Sequence, residues 1–183
     1  MIYVVTYATH SFGNYEKMIE NEYGIQFVVL GWGEKWKGYM HKLKSMHEYC
    51  KTLKEDDIVI QLDAFDVWVK GYLQNCIEHF KKNNYKVLFS KDCPYSNPIH
   101  KYLSDRVFKT TCPENTIINA GMYMGYVKHL LPIMEEAVKS DEIDDQRIFN
   151  KLCGNFNDKI KIDHDNVIFQ NVDSNKLIDN SNA

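Results

Sequence analysis

Apolar runs alternate with stretches of helical periodicity along most of the chain. Residues 1–7 place Ile2, Val4 and Val5 in a continuous apolar run and read as a buried strand. Residues 14–21 read as a short helix, with Gly24 just past its end, and residues 25–30 as a second strand. A glycine-rich loop, 31–38, follows and carries Trp32 and Trp36. In 39–54, Tyr39, Leu43, Met46, Cys50 and Leu53 recur at helical spacing. Residues 58–62 predict a third strand, 73–82 a helix with Leu73, Ile77 and Phe80 on one face, and 86–90 a fourth strand. The stretch 91–116 is rich in proline and weakly periodic, with a short helix near 99–108. Residues 116–126 predict a strand interrupted at Asn119-Ala120-Gly121, and 127–139 a helix with Pro132 near its start. A helix at 144–152 and short strands at 159–163 and 167–171 close the pattern. Strands alternating with helices predict an α/β protein, a mostly parallel central sheet flanked by helices. Residues 1–172 are expected to form one domain, followed by a polar tail at 173–183 that is either a tail or a truncation point.

Composition narrows the function. At 183 residues and 44% hydrophobic, the chain can bury a sizeable core. A net charge of -3 and the absence of a basic stripe give no reason to expect nucleic acid. The basic residues are lysines apart from Arg106 and Arg147, so an anion site must use lysine, backbone N–H groups or a metal. No apolar span is long enough to cross a membrane, and residues 1–8 lack the features of a signal peptide. The expectation is a soluble protein in a reducing compartment, unless the chain is a piece of something larger. The five cysteines form no C-x-x-C pair, which argues against a zinc site; Cys93 and Cys112 share a loop-rich stretch and could pair.

The chemistry concentrates where the third strand stops. Ile58-Val59-Ile60-Gln61-Leu62 runs directly into Asp63-Ala64-Phe65-Asp66. Positions three apart face opposite ways on a strand, so the two carboxylates converge only if the chain turns at Ala64-Phe65. Converged, they offer oxygen ligands to a hard divalent cation; taken singly, they would cap the next turn. Asn119-Ala120-Gly121 would let a polar ligand approach the backbone, or is a simple bulge. Asp144-Asp145-Gln146 opens a helix, where acidic residues are favoured by the dipole in any case. Dinucleotide, P-loop and nucleophile-elbow motifs are absent, and Asp63 and Asp66 are spaced wrongly for a D-x-D-x-T phosphatase.

In order, these segments resemble the glycosyltransferase domain of procollagen lysyl hydroxylases and their viral and microbial relatives. Tyr7-Ala8-Thr9 is similar to that family's Val-Ala-Thr at the uracil ring. The run from Leu30 to Gly38 is similar to its Leu-Gly-x-Gly-Glu-x-Trp-x-Gly loop, with Trp36 at the tryptophan. Lys42 matches a lysine facing the nucleotide-sugar phosphates. Asp63 and Asp66 match the D-x-x-D metal motif, with Phe65 near the base. Asn119 and Gly121 match its Asn-Ser-Gly, and Asp144, Asp145 and Gln146 the end of its poly-aspartate stretch. Asp163-His164 and Ile168-Phe169-Gln170-Asn171 match its closing motif.

The resemblance implies a GT-A-like fold and a metal-dependent enzyme using Mn²⁺ and a UDP-sugar donor. Glucose or galactose would pass to a hydroxyl acceptor, a collagen-like peptide or a glycan. It implies Asp63 and Asp66 as metal ligands and Asp144 and Asp145 as catalytic carboxylates. Donor contacts would come from Tyr7, Thr9, Trp36, Lys42, Phe65, Asn119, Gly121 and Gln146. A homodimer is allowed. The family's His-Gly-Asn-Gly segment and a loop tryptophan have no match here, and only Tyr95 could substitute for the latter. The alternative reading is therefore a non-catalytic, nucleotide-sugar-binding remnant of the same fold.

Overall fold

The computed structural model describes residues 1–92 and 98–172. Cys93, Tyr95 and the tail 173–183 lie outside the described residues. Six strands form one sheet: β1 (Ile2–Tyr7), β2 (Phe27–Leu30), β3 (Ile58–Leu62), β4 (Val87–Lys91), β5 (Ile118–Tyr126) and β6 (Ile160–Asp163). Their order is β2-β1-β3-β5-β4-β6, parallel except that β5 runs antiparallel between β3 and β4.

Helices cover both faces, which is why the central strands read as unbroken apolar runs. The helices are α1 (Tyr15–Ile19), α2 (Tyr39–Lys51), α3 (Leu73–Lys82), α4 (Pro98–Phe108), α5 (Val127–Ala137) and α6 (Asp145–Leu152). Val5, Val59, Phe89 and Tyr123 pack on one face under Leu43 and Met46 of α2, Leu130 and Ile133 of α5 and Phe149 of α6. Ile58, Ile60, Leu88 and Met124 pack on the other face against Ile77 and Phe80 of α3.

The reversed strand shapes one end of the sheet. Because β5 is antiparallel, its first residues lie beside the last residues of β3 and β4. The ends of β1, β3 and β4, the start of β5 and the start of α6 therefore gather at one edge. That edge is where open α/β sheets bind ligands.

Four sequence expectations need correction. Residues 167–171 are not a strand. They fold back on Asp163, whose carboxylate accepts hydrogen bonds from the N–H groups of Val167, Ile168 and Phe169 at 3.0, 2.7 and 2.8 Å. An apolar run pinned by a carboxylate can thus bury Phe169 without ladder bonds. Strand β5 is not broken at Asn119-Ala120-Gly121. It runs on from Ile118, the Asp63 N–H donating to the Gly121 carbonyl at 2.8 Å, but its register with β4 shifts from Phe89–Tyr123 to Ser90–Asn119, so Ala120–Met122 form the bulge that the sequence allowed. Pro132 lies in the interior of α5 rather than near its start.

Cys112 pairs with Cys153, not with Cys93. The bridge joins the segment before β5 to the end of α6. Asn150 of α6 reinforces it: its side chain accepts from the Ile118 N–H at 2.9 Å and donates to the Ile118 carbonyl at 3.0 Å. Disulfides form and persist in oxidising compartments. Closing a loop of 41 residues should contribute on the order of 3–4 kcal/mol. Cys153→Ser is expected to lower the thermal midpoint by many degrees. A reductant should do the same to the wild type and nothing more to the variant. Among the described residues no helix is long and apolar enough to cross a membrane.

Candidate active site

Lys42 is the centre of the edge. It lies in the first turn of α2, just after the loop 31–38, and is buried under the sheet edge. Its Nζ donates to Asp63 Oδ1 at 3.0 Å and lies 2.7 Å from Asp145 Oδ2. Burial by itself would drive the ammonium to neutrality, but the two carboxylates outweigh it and raise the Lys42 pKa above the usual lysine value. The lysine therefore stays charged at any working pH.

The acids are set in different ways. Asp63 follows the last residue of β3 and is about one-third exposed. Asp66 is the last residue of a bend at 64–66 and is exposed as a whole residue. Its carboxyl is nonetheless pushed up by partial desolvation and by the nearby charge of Asp63. The chain thus turns where convergence requires it. Asp145 is buried, and its carboxyl is raised chiefly by that burial, with Lys42 pulling the other way.

Asp144 and Asp145, paired in the sequence, do different things. The Asp144 carboxylate caps α6, accepting from the Arg147 N–H at 2.9 Å. Asp145 points to Lys42. Gln146, half-buried, accepts from Asn150 through its carbonyl at 2.8 Å.

Asn119 and Gly121 meet Asp63 directly. The Asn119 Oδ1 accepts from the Gly121 N–H at 2.8 Å. A Cβ on Gly121 would stand 2.8 Å from Asp63 Oδ2 and 2.9 Å from Asn119 Oδ1, so only glycine leaves that carboxylate oxygen room.

Aromatic rings line the end of β1. The Tyr7 ring lies edge-on to Trp36 and His41, at 5.8 and 6.1 Å between ring centres. It also presses on Gly31, where a Cβ would come within 2.4 Å of the ring. Gly31 has φ +74°, a second reason for glycine there. On the other side of β1, Phe65 packs against His10 and Phe12, each at 5.7 Å. Thr9 links the two groups: its carbonyl accepts from the Gly33 N–H at 3.0 Å and its hydroxyl lies 2.9 Å from His10 Nδ1. Trp36 is 46% exposed, so one side of its ring is open to a ligand.

The sequence reading passed over Gln61 and Tyr123. Both are buried polar side chains facing each other across β3 and β5, beneath the acids. The signal for Gln61 was a lone amide inside an apolar strand.

The sequence profile of the PLOD GT domain matches residues 1–180. The chain belongs to that family of glycosyltransferase domains. It is 27% identical over 186 residues to the procollagen-lysine,2-oxoglutarate 5-dioxygenase of Drosophila melanogaster, covering 93% of this chain and 25% of the relative. The multifunctional procollagen lysine hydroxylase and glycosyltransferase of Caenorhabditis elegans is 25% identical, covering 92% of this chain and 25% of the relative. The chain thus spans about a quarter of the length of these relatives. Among solved structures, 4-diphosphocytidyl-2C-methyl-D-erythritol synthase from Anaerococcus prevotii has a TM-score of 0.48 at 11% identity, covering 97% of this chain and 94% of that one.

Proposed function

We propose that this PLOD GT domain transfers glucose or galactose from a UDP-sugar to a hydroxyl of a collagen-like or glycan acceptor, and that the transfer depends on a divalent metal. The observation that carries the reading is the buried Lys42 ammonium held between Asp63 and Asp145 at the carboxyl edge of the sheet.

Among the described residues no group of three or more His, Cys, Asp or Glu side chains could hold a metal. Asp63 and Asp66 still suit one. Both offer oxygen, and the Asp66 carboxyl is raised by desolvation and then by the Asp63 charge, both of which a cation would offset. Cations of the Mg²⁺ type are commonly held by one or two carboxylates, with waters and substrate phosphates completing the shell. A bound Mn²⁺ would supply Lewis-acid stabilisation of charge on the departing diphosphate.

The protein's own residues do the rest. Lysine carries three N–H donors, two of which meet Asp63 and Asp145; the third is offered to a phosphate oxygen. Trp36 and Phe65, flanking Tyr7 and Thr9, enclose the base. As the acceptor oxygen bonds to the sugar's anomeric carbon, the bond from that carbon to the diphosphate opens and UDP departs with the electron pair. Asp145 offers negative charge beside that carbon, supporting positive charge on the sugar or aligning the acceptor hydroxyl.

Trp36→Ala is expected to weaken UDP binding about tenfold while leaving the fold intact, since an open aromatic face contributes ~1–3 kcal/mol to a stacked base. Fluorescence or calorimetric titration checks it; an unchanged dissociation constant would make Trp36 a packing residue for Tyr7. The remnant reading draws on the short metal-ligand set and predicts UDP binding without transfer.

A further inference from the structure

Gln61 lies on the same face of β3 as Val59, opposite Tyr123 of β5, and that face packs beneath α2 and α6. It is 1% exposed. Its Nε2 donates to Asp63 Oδ1 at 3.1 Å, while its Oε1 is buried with no hydrogen-bond partner among the described residues. The amide cannot be turned over, because its oxygen would then face a carboxylate oxygen. A buried amide with an unmet acceptor is unfavourable, and leucine would fill the same space without that cost. For the core alone, glutamine is the worse residue.

What glutamine supplies is a hold on one atom. Asp63 Oδ1 receives both Lys42 Nζ and Gln61 Nε2. The other oxygen, Oδ2, faces the gap left by the missing side chain of Gly121. A carboxylate plane on a single-bond hinge otherwise swings over a broad range of angles. Two donors on one oxygen resist that rotation, and Gln61, an uncharged amide, is not drawn to a phosphate as the Lys42 ammonium is.

We propose that Gln61 is a positioning residue: with Lys42 it holds Oδ1 of Asp63, so that Oδ2 is presented towards Gly121 for the cation of the donor diphosphate. This rests on the metal-dependent reading above. Gln61 touches neither substrate nor metal; it acts through Asp63, and it keeps that presentation when Lys42 turns to a phosphate.

The test uses wild type, Gln61→Leu and Gln61→Met. Mn²⁺ alone is titrated by electron paramagnetic resonance, and UDP by calorimetry with Mn²⁺ and with EDTA. The expected result has three parts. Both variants keep a thermal midpoint at or above that of wild type. Their Mn²⁺ affinity, and their UDP affinity in Mn²⁺, fall about tenfold. Their UDP affinity in EDTA is unchanged. A residue with only a structural role would lower the midpoint and leave the Mn²⁺-dependent increment alone. If wild type responds to Mn²⁺ and the folded variants respond equally, Gln61 has no positioning role. If wild type itself binds UDP equally in Mn²⁺ and EDTA, the metal reading falls and Gln61 with it. Should Gln61→Leu not fold, Gln61→Met, longer and more adaptable, decides between the same outcomes.

Discussion

Asp145→Asn should lower turnover by two orders of magnitude or more, about 2.7 kcal/mol of transition-state stabilisation. Asparagine keeps the shape of the side chain and removes the charge that would face the sugar. The fold should hold, because Lys42 retains Asp63 as a partner and α6 retains its cap on Asp144. UDP affinity should stay level or tighten slightly, since an ammonium released from one carboxylate has more to offer a phosphate. The companion variant separates helix capping from chemistry. Asp144→Ala removes the side chain that accepts from Arg147 N–H, and should cost about 1 kcal/mol of stability. Its turnover should remain within a few-fold of wild type. Steady-state kinetics and thermal melts of both variants check this. Full activity in Asp145→Asn would return that residue to a structural ion pair with Lys42.

Asp63→Ala should abolish the increase in UDP affinity that Mn²⁺ provides, an effect on the order of a few kcal/mol at the phosphates. The residue sits at the junction of three constraints: Lys42 and Gln61 on Oδ1, Gly121 against Oδ2, and the charge felt at Asp66. Removing it leaves Lys42 paired with Asp145, so the buried ammonium is not stranded. The variant should fold, bind UDP in EDTA as wild type does, and fail to respond to Mn²⁺. Calorimetry with and without the metal measures this directly. A folded Asp63→Ala protein with an undiminished Mn²⁺ response would place the metal elsewhere.

Much of this was legible from patterning. Strand β3 and helix α3 have the predicted limits, because an apolar run between polar flanks and a one-sided helical stripe leave little choice of register. The convergence of Asp63, Lys42, Asn119 and Gly121 followed from their order in the family resemblance rather than from spacing. What the pattern could not give were features set by partners distant in sequence. The apolar residues 167–169 look like a strand until the Asp163 carboxylate takes up their N–H groups. Cys112 finds Cys153 because α6 packs against the start of β5, a contact no local spacing encodes. The different roles of Asp144 and Asp145 arise from the helix boundary between them: Asp144, extended at the N-cap, turns its carboxylate onto the Arg147 amide, and Asp145, the first helical residue, turns its own onto Lys42. Gln61 was hidden for the opposite reason: a single amide in an apolar run reads as noise until Asp63 is seen above it.

The most direct test of glycosyl transfer is UDP release from UDP-glucose and UDP-galactose in Mn²⁺, with a hydroxylysine-containing collagen-like peptide as acceptor. Mass spectrometry of the peptide accompanies it. A hexosyltransferase will release UDP from at least one donor, add one hexose to the peptide, and lose both signals in EDTA and in Asp145→Asn. UDP that binds in Mn²⁺ with no release and no peptide product from either donor would contradict a catalytic role and favour a nucleotide-sugar-binding remnant.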